Sequence, residues 1–176
     1  AFLDKVVPYY DKDRAGHPVE AATVLDHMRR AIEFTTTSVG AHGLPLLGFA
    51  DWNDTVNLRA GAESLFVAHL YGKALLEMID LARHAGDAAA AARYQGCYEA
   101  MKARVNDLAW DGEWYVRYFD ADGSPLGSKA NRYGQIYVNG QSWPVIAGLA
   151  TPDRARHALD SVYRRLNTRN GIKLSV

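Results

Sequence analysis

The stretch from Ala62 to His84 constrains the fold more than any other feature of the sequence. If it forms a helix, apolar side chains lie on almost every side of that helix. A surface helix carries one apolar stripe, whereas a helix that is apolar all round packs against neighbours on several sides. The stretch therefore predicts an inner helix. Its large apolar residues are Leu65, Phe66, Leu70, Tyr71, Leu75, Leu76, Met78, Ile79 and Leu81.

Other segments predict helices that flank this inner helix. Apolar residues at near-helical spacing indicate a first helix from Val19 to Thr37. Gly86-Asp87 supplies a stop and an N-cap for a third, outer helix. Thr151-Pro152-Asp153 has the cap, first-turn proline and acid that begin a last helix, which we expect to end near Asn170-Gly171. The stripe of the outer helix is Tyr94, Tyr98, Met101, Val105 and Leu108.

One segment interrupts the helical pattern. Residues Trp114 to Phe119 have no helical period, are rich in β-forming side chains and run into the turn sequence Asp120-Ala-Asp-Gly123, which predicts a short hairpin. The same "DADGS" could open a calcium loop, but Asn131 stands where such a loop needs a bidentate Glu. We therefore prefer the turn, and we expect the tryptophans Trp110, Trp114 and Trp143 to pack in the core.

Composition narrows the class of protein. With 176 residues, 48% of them hydrophobic, the chain can bury one core, and we expect a single domain over 1–176 without an internal boundary. Twenty basic and 20 acidic residues give no net charge, which argues against nucleic acid or a membrane surface as a partner. A single cysteine, Cys97, indicates a reducing compartment, and we expect the cytoplasm. The six scattered histidines lack metal-ligand spacing, so we expect no metal.

Stacked helical hairpins around an inner helix predict a mainly α fold of the α/α toroid type, with loops around a central pocket at one end of the inner helices. A full toroid needs more helices than this chain holds. We therefore expect the chain to be part of a larger domain.

The sequence "GFADWND", residues 48–54, leads into the inner helix and carries two acids beside a tryptophan. The flat face of Trp52 suits the apolar face of a sugar ring. A carboxyl group partly desolvated beside it can serve as the general acid of glycosidic bond cleavage. The alternative is structural, since short Asp and Asn clusters are mostly turn and capping residues. The residues alone leave both interpretations open.

Longer motifs carry a resemblance. "LPLLGFADWNDTVNL", "AWDGEWYVRYFDADGSPLGS" and "GQIYVNGQSWPVIAGLATPDRARHALDS" resemble the catalytic domain of the inverting disaccharide phosphorylases of glycoside hydrolase family 94. The resemblance covers nearly the whole chain. It implies part of an (α/α)6 barrel in a longer enzyme that also carries a β-sandwich domain and forms a homodimer. The implied reaction is reversible phosphorolysis of a β-linked glucosyl disaccharide, with cellobiose as the expected substrate.

The resemblance also implies roles for individual residues. Asp54 matches the general acid, and Trp52 matches the tryptophan that lines the glucosyl subsite. Asn53, Asp51 and Gln141 are implied near the substrate, with Asp51 fixing the loop. Phosphate is the implied nucleophile and co-substrate, so no cofactor is expected. The family's phosphate-binding residues and an acceptor-site Glu follow the last residue of this chain, so we expect the 176 residues alone to be inactive.

The sequence differs from the family pattern at two positions, and two other functions are considered beside the predicted one. Pro144 stands where alanine is expected, which predicts a change at the start of the following helix, and Arg59 stands where proline is common. An inverting glycoside hydrolase would need a water-activating base, for which Glu63 or Asp51 is a candidate. A non-catalytic sugar-binding or structural remnant is the second alternative.

Overall fold

A computed structural model of the chain describes residues 2–176 and divides after Thr37 into two compact units, each of which is described by itself. Helices dominate, so the mainly α prediction is confirmed. Nowhere in residues 2–176 does a helix combine the length and the apolar character needed to cross a membrane.

The first unit contains a pair of short strands and one helix. After a 3₁₀ turn at Phe2–Asp4, strand β1 (Val6–Pro8) pairs antiparallel with β2 (Ala21–Thr23), and α1 (Val24–Thr37) follows at once. The predicted helical start at Val19 is wrong because residues 21–23 are extended by pairing with β1.

A side-chain cap begins α1 after β2. The Asp26 amide donates to Thr23 Oγ1 at 3.1 Å, while the Thr23 hydroxyl donates to Asp26 Oδ2 at 2.6 Å. This reciprocal pairing satisfies a backbone donor in the first turn of the helix. The cap therefore lies several residues later than the apolar pattern alone predicts.

The second unit holds the remaining helices and three small antiparallel pairings. Strand β4 lies between β3 and β5 in one sheet, and β6 pairs with β7 in another. The elements in chain order are β3 (Glu63–Ser64), α2 (Leu65–His84), α3 (Ala88–Leu108), β4 (Tyr118–Phe119), β5 (Pro125–Leu126), α4 (Val138–Ile146), α5 (Pro152–Leu166), β6 (Asn167–Thr168) and β7 (Gly171–Ile172).

Helix α2 is the predicted inner helix. It packs against both α3 and α4, and only a narrow strip that includes Glu77 and Asp80 is well exposed. It begins at Leu65 rather than Ala62 because the two preceding residues pair with β4. Its buried residues are Leu65, Phe66, Ala68, His69, Tyr71, Gly72, Leu75, Met78, Ile79 and Ala82.

The caps of α3 and α5 form as predicted. The Ala90 amide donates to Asp87 Oδ1 at 3.0 Å, and Thr151 Oγ1 accepts from the Arg154 amide at 3.4 Å. Along α3, the apolar stripe is buried from Tyr94 to Val105, while Leu108 is partly exposed. Helix α5 ends at Leu166, earlier than expected, because the β6–β7 hairpin takes up the residues that follow.

The predicted hairpin is present, but its first strand is shorter than expected. Only Tyr118–Phe119 is regular strand, and the turn closes with the Asp120 amide donating to the Ser124 carbonyl at 2.9 Å. Upstream, the Tyr115 amide donates to Gln141 Oε1, and the Gln141 Nε2 donates back to the Tyr115 carbonyl, both at 2.8 Å. A side-chain amide thus replaces the strand partner that Tyr115 would otherwise need.

Pro144 and the tryptophans complete this region. Pro144 lies in the last turn of α4, six residues after the helix begins, so the predicted change at the helix start is wrong. A proline there removes an amide donor only shortly before the helix ends. Trp114 is fully buried, as predicted, and its indole nitrogen donates to two backbone carbonyls.

Candidate active site

Residues 48–62, called the acid loop here, run to β3 and the N-terminus of α2. They border a groove of about 450 Å³ on the second unit. Asp54 is the acidic residue that lines this groove. Trp52 does not line it. The lining residues are Gly48, Phe49, Asp54, Thr55, Val56, Asn57, Leu58 and Ala60.

The Asp54 side chain reaches solvent. Its residue is exposed, and within residues 2–176 its carboxylate takes part in no hydrogen bond or ion pair of the structure. A carboxyl group held by no neighbour can approach a bound molecule and exchange a proton with it. The position is therefore compatible with an acid that works on a ligand in the groove.

Asn53 shapes the turn that carries Asp54. Its Oδ1 accepts from the Thr55 amide at 3.2 Å and from the Thr55 hydroxyl at 2.7 Å. Its carbonyl accepts from the Val56 amide at 3.1 Å. These are the local contacts of an Asx turn, which the structural interpretation of the sequence expected. A substrate contact from Asn53 stays a prediction.

Asp51 is the buried anchor of the acid loop. Its side chain is 1% exposed, and Oδ2 lies 2.8 Å from the Nη2 of Arg117, whose side chain is equally buried. Asp51 Oδ1 accepts from the Asn53 amide at 2.9 Å and from the Tyr118 hydroxyl at 3.3 Å. The carboxylate is thus occupied on both oxygens. These contacts fix the start of the loop, and a role of Asp51 near the substrate stays a prediction.

Ser64 joins the acid loop to α2. Its hydroxyl caps the helix by accepting from the Val67 amide at 3.2 Å. The same oxygen accepts from Arg117 Nη1 at 3.2 Å and donates to Asp51 Oδ2 at 2.6 Å. One hydroxyl supplies one donor and two acceptor positions, so every bonding position of Ser64 is used.

Glu63 holds the chain segment before the acid loop. Its residue is 2% exposed. Oε1 accepts from the amides of His42 and Leu44, both at 3.0 Å, and Oε2 lies 2.5 Å from His42 Nδ1. A Cβ at position 40 would approach the Glu63 side chain to 2.5 Å, so Gly40 leaves the room that this arrangement needs.

Trp52 and Gln141 occupy contrasting environments. Trp52 is 59% exposed, which leaves its ring free for a flat ligand. Gln141 is fully buried, and its amide bonds the backbone of Tyr115 and the carbonyl of Tyr137. These contacts give Gln141 a structural role in α4. A sugar contact from either residue stays a prediction.

Burial changes the titration of several groups in the second unit. Burial and, to a lesser extent, the charge of Arg117 lower the pKa of His69 to about 3, so its imidazole is neutral at pH 7. Burial raises the pKa of Tyr115 to about 12 and that of Tyr118 well above its ordinary value. Tyr118 therefore keeps the proton that it donates to Asp51.

Sequence reasoning missed Arg117, Ser64 and Tyr118 as partners of the acid loop. The one available signal was an arginine within the apolar, β-forming run "WYVRYF", because a buried arginine needs an acidic partner. Nothing in the spacing identified that partner as Asp51. The pairing depends on how β4 meets β3, which is a long-range contact.

The geometry defines a class of site. An exposed tryptophan and an unoccupied carboxylate, held by a buried anchor at the start of an inner helix, suit a carbohydrate ligand and an acid-dependent reaction on it. Comparison with known families agrees with this class. The whole chain, residues 1–176, matches the glycosyl hydrolase 94 superfamily, catalytic domain, and it belongs to that family.

Several relatives of the chain are phosphorylases by name. The chain is 34% identical to the N,N'-diacetylchitobiose phosphorylase of Vibrio furnissii, over 99% of this chain and 21% of the relative. It is also 34% identical to the solabiose phosphorylase of Paenibacillus borealis, over 97% of this chain and 22% of the relative. The 3-O-beta-D-glucopyranosyl-beta-D-glucuronide phosphorylase of Paenibacillus borealis is 32% identical over 81% and 19%. The chain spans about a fifth of the length of these relatives.

Proposed function

We propose that this chain carries the general-acid loop of an inverting disaccharide phosphorylase and forms part of an (α/α)6 barrel. The reaction is the reversible phosphorolysis of a β-linked glucosyl disaccharide. A phosphate oxygen attacks the glucosyl C1 from the face opposite the leaving sugar, and the bond from C1 to the glycosidic oxygen breaks. Asp54 gives its proton to that oxygen. The products are α-glucose 1-phosphate and a free sugar.

The observation that carries this proposal is the contrast among the carboxylates around the acid loop. Asp54 borders the groove and has no partner in the described part of the chain, whereas Asp51 and Glu63 are buried and occupied. An inverting enzyme that uses phosphate as the nucleophile needs one acid and no protein base. One available carboxylate therefore matches the chemical requirement.

The same contrast argues against an inverting hydrolase. A hydrolase needs a second carboxylate that can approach and deprotonate a water molecule. Asp51 accepts from Ser64, Tyr118 and a backbone amide, and Glu63 accepts from His42 and two backbone amides. Both candidate bases are buried and have a contact on each oxygen, so neither is placed to deprotonate a water molecule in this arrangement.

Cellobiose is the substrate that we propose first. The relatives are named for different disaccharides, among them N,N'-diacetylchitobiose and solabiose, so the acceptor sugar varies within the family. In this proposal Trp52 packs on the glucosyl ring, and Asn53, Asp51 and Gln141 support that subsite. The full protein acts as a homodimer with phosphate as co-substrate.

The acid assignment is tested by Asp54→Asn in the protein as encoded. The amide is nearly isosteric with the carboxylate, so sugar binding should persist while the proton for the leaving oxygen is lost. General acid catalysis is worth about 10²–10⁴-fold, so phosphorolysis of cellobiose should fall by that order. A β-glucoside of an acidic phenol needs little protonation to leave and should lose far less. Steady-state rates on both substrates provide the measurement.

Two control variants accompany this experiment. Asp80→Asn makes the same change at an exposed site on α2 and should keep the wild-type rate on both substrates. Asp51→Asn alters the anchor of the loop and should lower both rates alike. Near-normal turnover of cellobiose by Asp54→Asn, or a leaving-group-selective loss in Asp51→Asn, would show that the acid has been assigned to the wrong residue.

A further inference from the structure

Arg117 is one of the largest fully buried side chains in the second unit, and its backbone and its guanidinium group both have fixed contacts. Its backbone amide donates to the Leu126 carbonyl at 2.7 Å, and its carbonyl accepts from the Leu65 amide at 3.2 Å. The guanidinium carbon lies 5.1 Å from the centre of the Phe66 ring and 4.1 Å from that of Tyr118. The guanidinium therefore has a fixed position between two rings.

This fixed cation meets the acid loop at Asp51. The contact between Nη2 and Oδ2 is an ion pair rather than a directed hydrogen bond, and it is closed from solvent on both sides. Nη1 adds a hydrogen bond to the Ser64 hydroxyl, which itself donates to Asp51. Arg117 thus holds Asp51 both directly and through Ser64.

Asp51 in turn determines where the backbone of the acid loop begins its turn toward Asp54. Its Oδ1 accepts from the Asn53 amide, and Asn53 then closes the Asx turn around Thr55. Asp54 lies between these two residues and has no contact of its own that would fix its carboxylate, as far as residues 2–176 are described. Its position therefore depends on the chain of contacts that starts at Arg117.

A second anchor at the other end of the loop is much weaker. Arg59 pairs with Asp120 and Asp122 of the hairpin turn, but its side chain is 60% exposed. Exposed ion pairs contribute little, whereas removing one partner of a buried pair leaves an uncompensated charge. Val56 and Leu58 also pack against the cluster of Leu47, Ala62 and Tyr118, but of the two ionic anchors the buried contact between Arg117 and Asp51 is the stronger.

We propose that Arg117 is a positioning residue for the proposed phosphorolysis, acting on Asp54 through Asp51. This inference rests on the function proposed above. A displacement of about 1 Å in a reacting group can cost about 100-fold in rate, so a change at Arg117 reaches the reaction without any contact with the substrate.

The test uses Arg117→Lys in the protein as encoded. Lysine keeps the charge but lacks the planar fork that meets Asp51 and Ser64 together. We expect kcat for disaccharide phosphorolysis to fall about 10- to 100-fold with little change in KM for phosphate. Arg83→Lys, the same change at an exposed site on α2, should keep the wild-type kcat. A wild-type kcat in Arg117→Lys would overturn the proposal.

A double-substitution cycle separates positioning from general damage to the fold. If Arg117 acts through Asp51, adding Arg117→Lys to Asp51→Asn should cost little beyond Asp51→Asn alone. Losses that multiply in full would overturn the proposal. Arg117→Met combined with Asp51→Asn removes both buried charges and gives a second folded background for the same comparison.

A structural measurement accompanies the kinetics. The amides of residues 52–58 should exchange hydrogen faster in Arg117→Lys than in Arg83→Lys, and equal exchange would contradict the proposal. If the wild-type protein consumes no disaccharide with phosphate, the proposed function fails. If the wild type is active and the Arg117 variants match it in rate and exchange, only the positioning role fails.

Discussion

The imidazole of His69 is fully buried in α2, and neither ring nitrogen has a hydrogen-bond partner in the described residues. Its ring meets that of Tyr115 edge to face, with centroids 6.2 Å apart. A buried polar group without a partner costs about 1–3 kcal/mol, so the unpaired nitrogens of His69 offset part of what its ring contributes by packing.

The same burial makes stability depend on pH. The pKa of His69 is lowered from 6.5 to about 3, so the unfolded chain binds the proton more readily than the folded chain between these values. Stability therefore falls as pH falls from about 6.5 toward about 3, by up to about 1.4 kcal/mol per pH unit. His69→Phe should remove the part of this slope between about pH 5 and 6.5, where the carboxyl groups stay ionised, and match or exceed wild-type stability at pH 7. Urea unfolding of the protein as encoded, at several pH values, measures both effects.

His69→Leu serves as the control for packing. Leucine also lacks the titrating group, so it should remove the same part of the pH slope, but it loses the edge-to-face contact with Tyr115 and should be less stable than His69→Phe. A wild-type slope in both variants would mean that another group causes the pH dependence.

At the scale of elements, the hairpin of β4 and β5 and the adjacent Arg117 hold the acid loop through two kinds of ion pair. One is buried, between Arg117 and Asp51, and the other is exposed. The exposed contact is Arg59 with Asp120 and Asp122. Hydrogen bonds from the Arg59 guanidinium are the main cause that lowers the pKa of both carboxyl groups below their usual range. The contribution of this contact is therefore present above the ordinary carboxyl pKa and is lost only as pH falls through the lower, folded values.

Arg59→Gln should loosen the end of the acid loop in a salt-dependent way. The amides of residues 56–62 should exchange faster than in the wild type at low salt, and the difference should shrink above about 0.5 M salt, where exposed charges are screened. Between pH 5 and 8 the difference should stay constant because both carboxyl groups remain ionised. A difference that salt does not change would indicate that Arg59 acts by packing instead.

Elements with local signals could be predicted from the sequence. Asp87 and Thr151 cap the helices that follow them, and the apolar content of Ala62–His84 predicts its burial. Strand β2 was missed because residues 21–23 are extended only through pairing with residues 6–8. The sequence predicts a strand at Tyr115, but the side-chain amide of Gln141, which lies far along the chain, bonds its backbone instead.

The candidate site divides in the same way. The "DWND" motif before the inner helix is a local feature that draws attention to Asp51 and Asp54, and the family resemblance assigns the expected acid to Asp54. Arg117 could not be assigned, since its partner is brought near only when β4 pairs with β3. The competing structural interpretation agrees with the contacts of Asn53 and Asp51, which hold the turn. Catalysis by Asp54 stays a prediction.

At the scale of the whole molecule, the family match covers the entire chain, while the chain spans about a fifth of its named relatives. The proposed reaction therefore belongs to the protein as encoded. We expect its cleavage of cellobiose to require inorganic phosphate and to yield α-glucose 1-phosphate, because the carboxylates that a hydrolase would use as base are occupied. Product analysis by NMR, with and without phosphate, measures both expectations.

The contradicting results are specific. Release of free glucose at an equal rate without phosphate would favour the hydrolase. Binding of a disaccharide without any cleavage, in the presence of phosphate, would favour a non-catalytic sugar-binding protein. If the protein cleaves another disaccharide and not cellobiose, the proposed acceptor sugar is wrong but the proposed type of reaction still holds.

The three hydrogen bonds of the Ser64 hydroxyl limit which amino acids this position tolerates. Helix N-caps usually exchange among Ser, Thr, Asp and Asn at little cost. Here Asp would cap α2 but would have no proton for Asp51 and would set a second negative charge beside it, while Ala would remove all three bonds at once. A substitution chosen by helix propensity alone would therefore disturb the acid loop.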